Sequence, residues 1–376
     1  MKLGIENIDK YFDLFKGKRL GLITNPTGVN QQLVSTIDIL KDKFNLVALF
    51  APEHGVRGNM QAGVRFETMM DESGIIAYSL YTKDKRPTKG MLDQIDILCI
   101  DIQDAGSRFY TYIYTMAYAM MACKDNNKTF VVFDRPNPLG QTVEGNILDI
   151  NYRSFVGYYP ICQRHGMTIG ELAKMFNERF EIGCNLVIVP MEGYDRSKYY
   201  DELNIPWIAP SPNLPSISSV VAYNGTCIFE GTNISEGRGT TQPFEIVGAP
   251  FINASLLAKH LNDLHLPGVI FRPTYFQPTF SKWEGKMCGG VQLHITDRCL
   301  FKPVHTGWAM LDVIRNMYPA DYETLKPYVE GRPCMLQFNT GCNYIYEKKY
   351  TLERQFEIID KESKEFLEIR KPYLLY

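Results

Sequence analysis

Net charge is almost absent from this 376-residue chain: 40 lysines and arginines stand against 42 aspartates and glutamates, for a formal charge of −2. A polyanion is held by a positive surface field, and no long basic run or basic–aromatic strip occurs, so nucleic acid is excluded as an expected partner. No apolar run approaches the ~18 residues of a membrane-spanning helix, which excludes a membrane partner in the same way. Metal motifs are missing too. No two of the nine cysteines stand at CxxC spacing and the six histidines form no HExxH, so neither a structural zinc nor a zincin centre is expected, and no cofactor is implied. Three further fingerprints fail. GxGxxG does not follow the first apolar run, GxxxxGK[ST] is unmet, and no GxSxG marks a nucleophile elbow.

What is present is the balance of an ordinary globular protein: 45% hydrophobic and 22% charged residues with mean hydropathy −0.19. At ~150 residues per domain the length predicts roughly two domains, and a change in pattern places them at 1–150 and 151–376. The cysteines are odd in number, scattered and set mostly in apolar runs, which reads as reduced thiols. The first residues lack the apolar core of a signal peptide, so the expected compartment is cytoplasmic for the chain as given, and secreted or periplasmic if a leader was removed.

Five short runs rich in Ile, Val, Leu and Phe punctuate the first region: "RLGLIT" (19–24), "NLVALF" (45–50), "GIIAYSL" (74–80), "DILCID" (96–101) and "TFVVFD" (129–134). Such runs suit strands covered on both faces, and amphipathic segments at 33–41 and 109–123 supply crossover helices. The fold class expected is therefore α/β, with a Rossmann-like parallel open sheet followed by a smaller mixed α/β domain. In the second region Thr168 and Glu171 have capping-box spacing before an apolar period. "CNLVIVPM" (184–191) reads as a strand, and 253–264 and 306–317 read as helices. The charged tail predicts a helix that caps its own domain or packs on a second subunit.

Ligands of open α/β sheets bind beyond the carboxyl ends of the strands. Those ends lead into Asn25-Pro26-Thr27-Gly28, into Pro52-Glu53-His54-Gly55-Val56-Arg57, from Asp101 into Asp104 and Arg108, and into Asp134-Arg135-Pro136-Asn137. Carboxylates, arginines and amides on one rim suit a polyhydroxylated ligand, although Asn25, Asp101 and Asp134 equally suit turns and caps. Glu53 differs, because a carboxylate between Pro52 and His54 straight after a buried strand is no turn former. His54 either orients that loop or takes part in chemistry, and Arg108 is spaced to pair with Asp104. Further on, "SPNLPS" offers Asn213 on a rigid loop. "FEGTNISEGRGTTQPFE" packs Glu230, Glu236 and Arg238 into a Gly-punctuated loop able to close over a ligand or supply N–H groups to an anion. Elimination leaves carboxylate chemistry, of which glycoside hydrolysis is one form.

In order along the chain, "LITNPTG", "LFAPEHGVRG", "DIQDAGSRFYTYIYT", "VVFDRPNPLG", "PSPNLP", "FEGTNISEGRGTTQPFEIVGAP", "CGGVQLH" and the closing "YLLY" resemble the motifs of the NamZ-type exo-β-N-acetylmuramidases. The resemblance runs from about Gly21 to Tyr376. It implies a site in the cleft between the two domains, removal of N-acetylmuramic acid from the non-reducing ends of peptidoglycan fragments, and no metal. The family's catalytic glutamate falls on Glu53, which then acts as general acid in a partly desolvated site. The lactyl carboxylate of the sugar calls for an arginine, with Arg57, Arg108, Arg135 and Arg238 as candidates. The second catalytic group stays open among Asp101, Asp104, Glu236, a tyrosine and the substrate's own N-acetyl group. Two other readings stand beside this one: a cell-wall sugar-binding protein without turnover, and a phosphate- or nucleotide-handling enzyme built on the Arg238 loop.

Overall fold

The structure, a computed structural model, describes residues 1–58, 68–80 and 84–376. The apolar runs become β1 (Arg19–Thr24), β2 (Asn45–Ala51), β4 (Ile76–Ser79), β5 (Ile97–Asp101) and β6 (Thr129–Phe133), with the two-residue β3 (Met69–Met70) at the edge. After a short ribbon of β7 (Glu144–Ile147) and β8 (Cys162–Arg164), the chain returns to the large sheet as β9 (Asn185–Val189). The order is β3-β4-β2-β1-β5-β6-β9, parallel throughout except where β3 runs against β4. Leaving out β3, successive strands fall in the 3-2-1-4-5-6 order of a doubly wound sheet, which places the reversal of winding between β1 and β5.

Burial explains why those runs are uniform instead of alternating. Every residue of β5 is buried, and so is all of β1 except Arg19, because helices lie on both faces. The Tyr112–Asp125 helix covers one face, and the Ile169–Glu178 helix packs against it. The latter begins at the expected capping box: the Thr168 hydroxyl accepts from the Glu171 N–H at 3.2 Å and Glu171 accepts from the Thr168 N–H at 3.0 Å. Because β9 comes from 185–189, the large sheet extends past residue 150, where the change of pattern divides the sequence. The excursion through β7 and β8 interrupts the strand–helix alternation without ending the sheet.

The remaining region is built on three antiparallel strands, β10 (Ile246–Ala249), β11 (Val269–Phe276) and β12 (Cys288–Ile295), in the order β10-β12-β11. β11 largely alternates between buried and exposed side chains, as expected where one face meets water. Helices Ile217–Thr226, Ala254–Asn262 and Pro303–Met317 complete it, and the tail forms the Leu352–Arg370 helix. The chain end then crosses to the large sheet. The Leu375 N–H donates to Glu171 at 2.8 Å, and the Tyr376 hydroxyl reaches Asp134 Oδ2 at 2.9 Å. The tail thus joins the two regions of one chain.

Asp134 is fully buried, and burial pushes its carboxyl up to about 7 despite donors from Gly170, Thr168 and Tyr376. A carboxyl that holds its proton more tightly folded than unfolded contributes stability below its ordinary value of 3.8 and loses it as pH rises through about 7. Chemical denaturation of the wild type between pH 4 and 7 should therefore show a loss of stability that Asp134→Asn lacks. Equal slopes in the two proteins would contradict this assignment.

Candidate active site

The pocket forms where the turn after β2 meets the start of the Tyr112–Asp125 helix and the loop region after the Ile217–Thr226 helix. It measures about 310 Å³. From the first half it takes Glu53, His54, Lys85, Phe109, Tyr110 and Thr111; Phe155 and Val156 flank it; Ser211, Leu214, Tyr223, Glu230, Arg238 and Phe244 close the other side.

Glu53 is placed by a tight turn. Pro52 follows the last residue of β2, and its carbonyl accepts the Gly55 N–H at 3.0 Å. His54 takes the left-handed conformation, φ +74°, and Gly55 follows at φ +80°. Such a backbone is uncommon for histidine, and strain of this kind persists only where surrounding contacts over-determine it. The turn leaves Glu53 half-buried at the helix start. Thr111 occupies the N-cap position, but its hydroxyl makes no capping bond and donates instead to Glu53 Oε2 at 3.0 Å. Behind it the Tyr112 hydroxyl accepts from Asn25 Nδ2 at 2.9 Å and donates to the Pro210 carbonyl at 2.7 Å. Tyr112 thus ties the turns after β1 and β2 to the 210–214 loop.

The walls are aromatic. Tyr223 meets Phe109, Tyr110 and Phe244 edge to face at centroid separations of 5.0, 6.0 and 4.7 Å. Lys85 Nζ lies 4.6 Å from the Phe155 ring centroid. Burial pushes the phenols of Tyr110 and Tyr223 far above their ordinary value, so both remain neutral. On the far side Arg238 stands 5.1 Å over the Phe244 ring, pairs with Glu230, and places Nε 3.2 Å from Glu236. Glu236 in turn meets Lys282 at 2.7 Å.

Of the residues singled out in the sequence, Glu53, His54, Glu230 and Arg238 line this pocket, Asn213 and Glu236 border it, and the others are engaged elsewhere. Asp101 and Arg135 form a buried ion pair, Nη2 to Oδ2 2.8 Å, to which Thr36 also donates. Asn25 closes its own turn by accepting the Thr27 N–H at 3.0 Å. Asp104 accepts from Gly106 N–H at 2.7 Å and faces His165, not Arg108. Arg108 is fully buried and donates to the carbonyls of Asn146, Ile161 and Thr340 at 2.6, 3.1 and 2.9 Å, because the backbone around it is not helical and turns its side chain inward. Asn137 braces its loop through Met167 and Leu139, Asp134 receives the chain end, and Arg57 forks onto Asp71 at 2.7 and 2.9 Å, holding that carboxyl well below the usual range. Asn213 sits between the pocket residues Ser211 and Leu214, and Glu236 lies beneath Arg238. At the β1/β5 reversal Thr27, Gln103 and Arg135 line a crevice of about 10 Å³. That is room for about one water.

Family models for the N-terminal and C-terminal parts of the exo-β-N-acetylmuramidase NamZ match residues 20–218 and 221–376. This chain belongs to the NamZ family. The peptidoglycan β-N-acetylmuramidase NamZ of Bacillus subtilis (strain 168) is 49% identical over 381 residues, which cover 100% of this chain and 91% of that one. Crystal structures of two DUF1343 family proteins from Bacteroides fragilis NCTC 9343 share the fold. One has a TM-score of 0.90 at 39% identity, the other 0.80 at 32%, and each match covers 100% of this chain and 98% of the other. The change from one family model to the other, at 218/221, falls at the start of the Ile217–Thr226 helix.

Sequence reasoning passed over Lys85, Thr111 and the aromatic walls. The density of tyrosine in "RFYTYIYT" was the available signal for Tyr110 and Thr111, but it reads equally as a buried helix face. Arg108 yields a direct check. Arg108→Met leaves several buried carbonyls without their donor and should lower unfolding stability by about 1–3 kcal/mol for each one left unpaired, while the folded fraction keeps its KM. A stable variant with a raised KM would instead put Arg108 at the ligand.

Proposed function

We propose that the Glu53 pocket cleaves the β-glycosidic bond of a terminal N-acetylmuramic acid at the non-reducing end of peptidoglycan fragments, with Glu53 giving its proton to the departing oxygen. The observation that carries this reading is the placement of Glu53. Its carboxyl is fixed by Thr111 among aromatic walls, in a chain 49% identical to a peptidoglycan β-N-acetylmuramidase. Aromatic faces take the C–H faces of a sugar ring, and a few polar groups orient it. Proton donation needs a carboxyl within reach of the bridging oxygen and shielded from bulk water, which a half-buried side chain at the pocket wall provides. His54 holds the turn that presents it.

The sugar's lactyl carboxylate needs a cation. Arg57, Arg108 and Arg135 are engaged outside the pocket, whereas Arg238 and Lys85 line it. The lactyl group therefore lies toward these two side chains, and they distinguish a muramyl sugar from the glucosaminyl sugar that lacks this group.

The wild type should release 4-nitrophenol from 4-nitrophenyl β-N-acetylmuraminide. On a muramyl disaccharide, whose departing sugar oxygen needs a proton as 4-nitrophenolate does not, Glu53→Gln should bind while kcat falls on the order of 10²-fold or more. An unchanged kcat removes Glu53 from this role, and binding by the wild type without turnover at pH 5–8 favours a sugar-binding protein. Loss of a charge-assisted contact of about 1.5–3 kcal/mol predicts that Lys85→Met raises KM for the muraminide by roughly tenfold or more. KM for the matching N-acetylglucosaminide should not change, and an equal rise for both would contradict a role at the lactyl group.

A further inference from the structure

Glycoside hydrolysis in its usual form needs a second group on the face of the sugar ring opposite the proton donor. The sequence offered Asp101, Asp104 and Glu236 for this task. Asp101 is tied to Arg135 and Thr36, Asp104 faces His165, and Glu236 lies buried between Arg238 and Lys282. Among the described residues, the carboxylates that line the pocket are Glu53 and Glu230. They come from different halves of the chain, Glu53 from the large sheet and Glu230 from the short 3₁₀ turn Cys227–Gly231.

The surroundings of Glu230 are built to hold it. Gly231 follows at a point where an added Cβ would come within 2.3 Å of the Leu336 backbone nitrogen, so that only glycine lets the turn sit against the Met335–Thr340 helix. Arg238 pairs with Glu230 and is itself aligned by Glu236 and by the Phe244 ring. Phe244 is held at φ +66°, a strained conformation for a bulky residue. Its backbone is fixed at both ends, with the N–H donating to the Glu236 carbonyl at 2.7 Å and its own carbonyl accepting the Thr226 hydroxyl at 2.9 Å. Strain stabilised in this way at a pocket wall points to function. A side chain meant only to bind sugar hydroxyls needs no such support, whereas a catalytic group must be held to a fraction of an ångström.

We propose that Glu230 is the second catalytic carboxylate, acting on the face of the muramyl ring opposite Glu53, with Arg238 as its positioning residue. This rests on the muramidase reading of the pocket. In the step, a water oxygen bonds to the anomeric carbon as Glu230 takes one of its protons. The bond from that carbon to the bridging oxygen breaks with its electron pair on the oxygen, which receives the proton of Glu53. Water is thereby added across the glycosidic bond, and a later proton exchange with solvent resets both carboxyls.

The test uses the wild type and Glu230→Ala with 4-nitrophenyl β-N-acetylmuraminide, with and without azide, after circular dichroism has shown the variant folded. The proposal expects kcat to fall on the order of 10²–10⁴-fold with KM within a few-fold. Azide, fitting the space left by the carboxylate, should restore turnover and yield the α-glycosyl azide. A loss expressed in KM, a kcat within tenfold of wild type, a β-glycosyl azide, or a folded variant that azide does not rescue would overturn it. Should Glu230→Ala not fold, the same comparison with Glu230→Gln decides through the split between kcat and KM. An inactive wild type would contradict the muramidase reading itself, which separates that failure from this one.

Discussion

The buried ion pair between Asp101 and Arg135 locks together the strand ends at the centre of the large sheet. Asp101 ends β5 at the reversal of winding, the place where an open α/β sheet ordinarily opens to its ligand. Here Arg135 reaches across from the end of β6, and Thr36 donates from the start of the helix after β1. Arg135 also donates to the Val29 carbonyl at 2.7 Å, which brings the β1 loop into the same lock. A charge pair taken out of water is tolerable only when its remaining donors and acceptors are met, and this one has them. The switch point is thereby filled by its own side chains, and the larger pocket lies one strand outward, at the end of β2.

That displacement makes the pocket a joint product of both halves of the chain. The first half supplies Glu53 on a Pro-started turn and the Thr111 hydroxyl that fixes it. The second supplies the Arg238 loop, whose charges balance internally through Glu230, Glu236 and Lys282. Internal balance fits the near-zero net charge of the whole chain. The pocket accordingly presents local charge pairs and aromatic faces, with no surface field of one sign around it. The C-terminal tyrosine, seated on Asp134, adds a second tie between the halves.

The strands and most helices were legible in the residues because burial on both faces writes itself as uninterrupted Ile, Val, Leu and Phe, and the Thr168–Glu171 box marks a helix start. The β7–β8 ribbon was not, since "EGNI" and "CQR" are too short and mixed to show a period. Glu53 stood out as a residue ill suited to a turn, yet the structure sets it in one, closed from Pro52 to Gly55. The polar residues after β1, β5 and β6 looked alike in sequence, and only the three-dimensional pairing of Asp101 with Arg135 and of Arg108 with carbonyls separates structural from pocket roles. Lys85 lies outside every motif, and Phe244, though inside the Arg238 segment, looked like an ordinary apolar residue; their left-handed backbones, φ +51° and +66°, have little signature in residue type.

A crystal structure of the Glu53→Gln variant with a muramyl disaccharide bound tests the account most directly. The account predicts the anomeric carbon between residue 53 and Glu230, the ring against Tyr223 and Phe244, and the lactyl carboxylate toward Lys85 and Arg238. A sugar seated at the Asp101–Arg135 end of the sheet, or one whose anomeric carbon lies away from both glutamates, would contradict it.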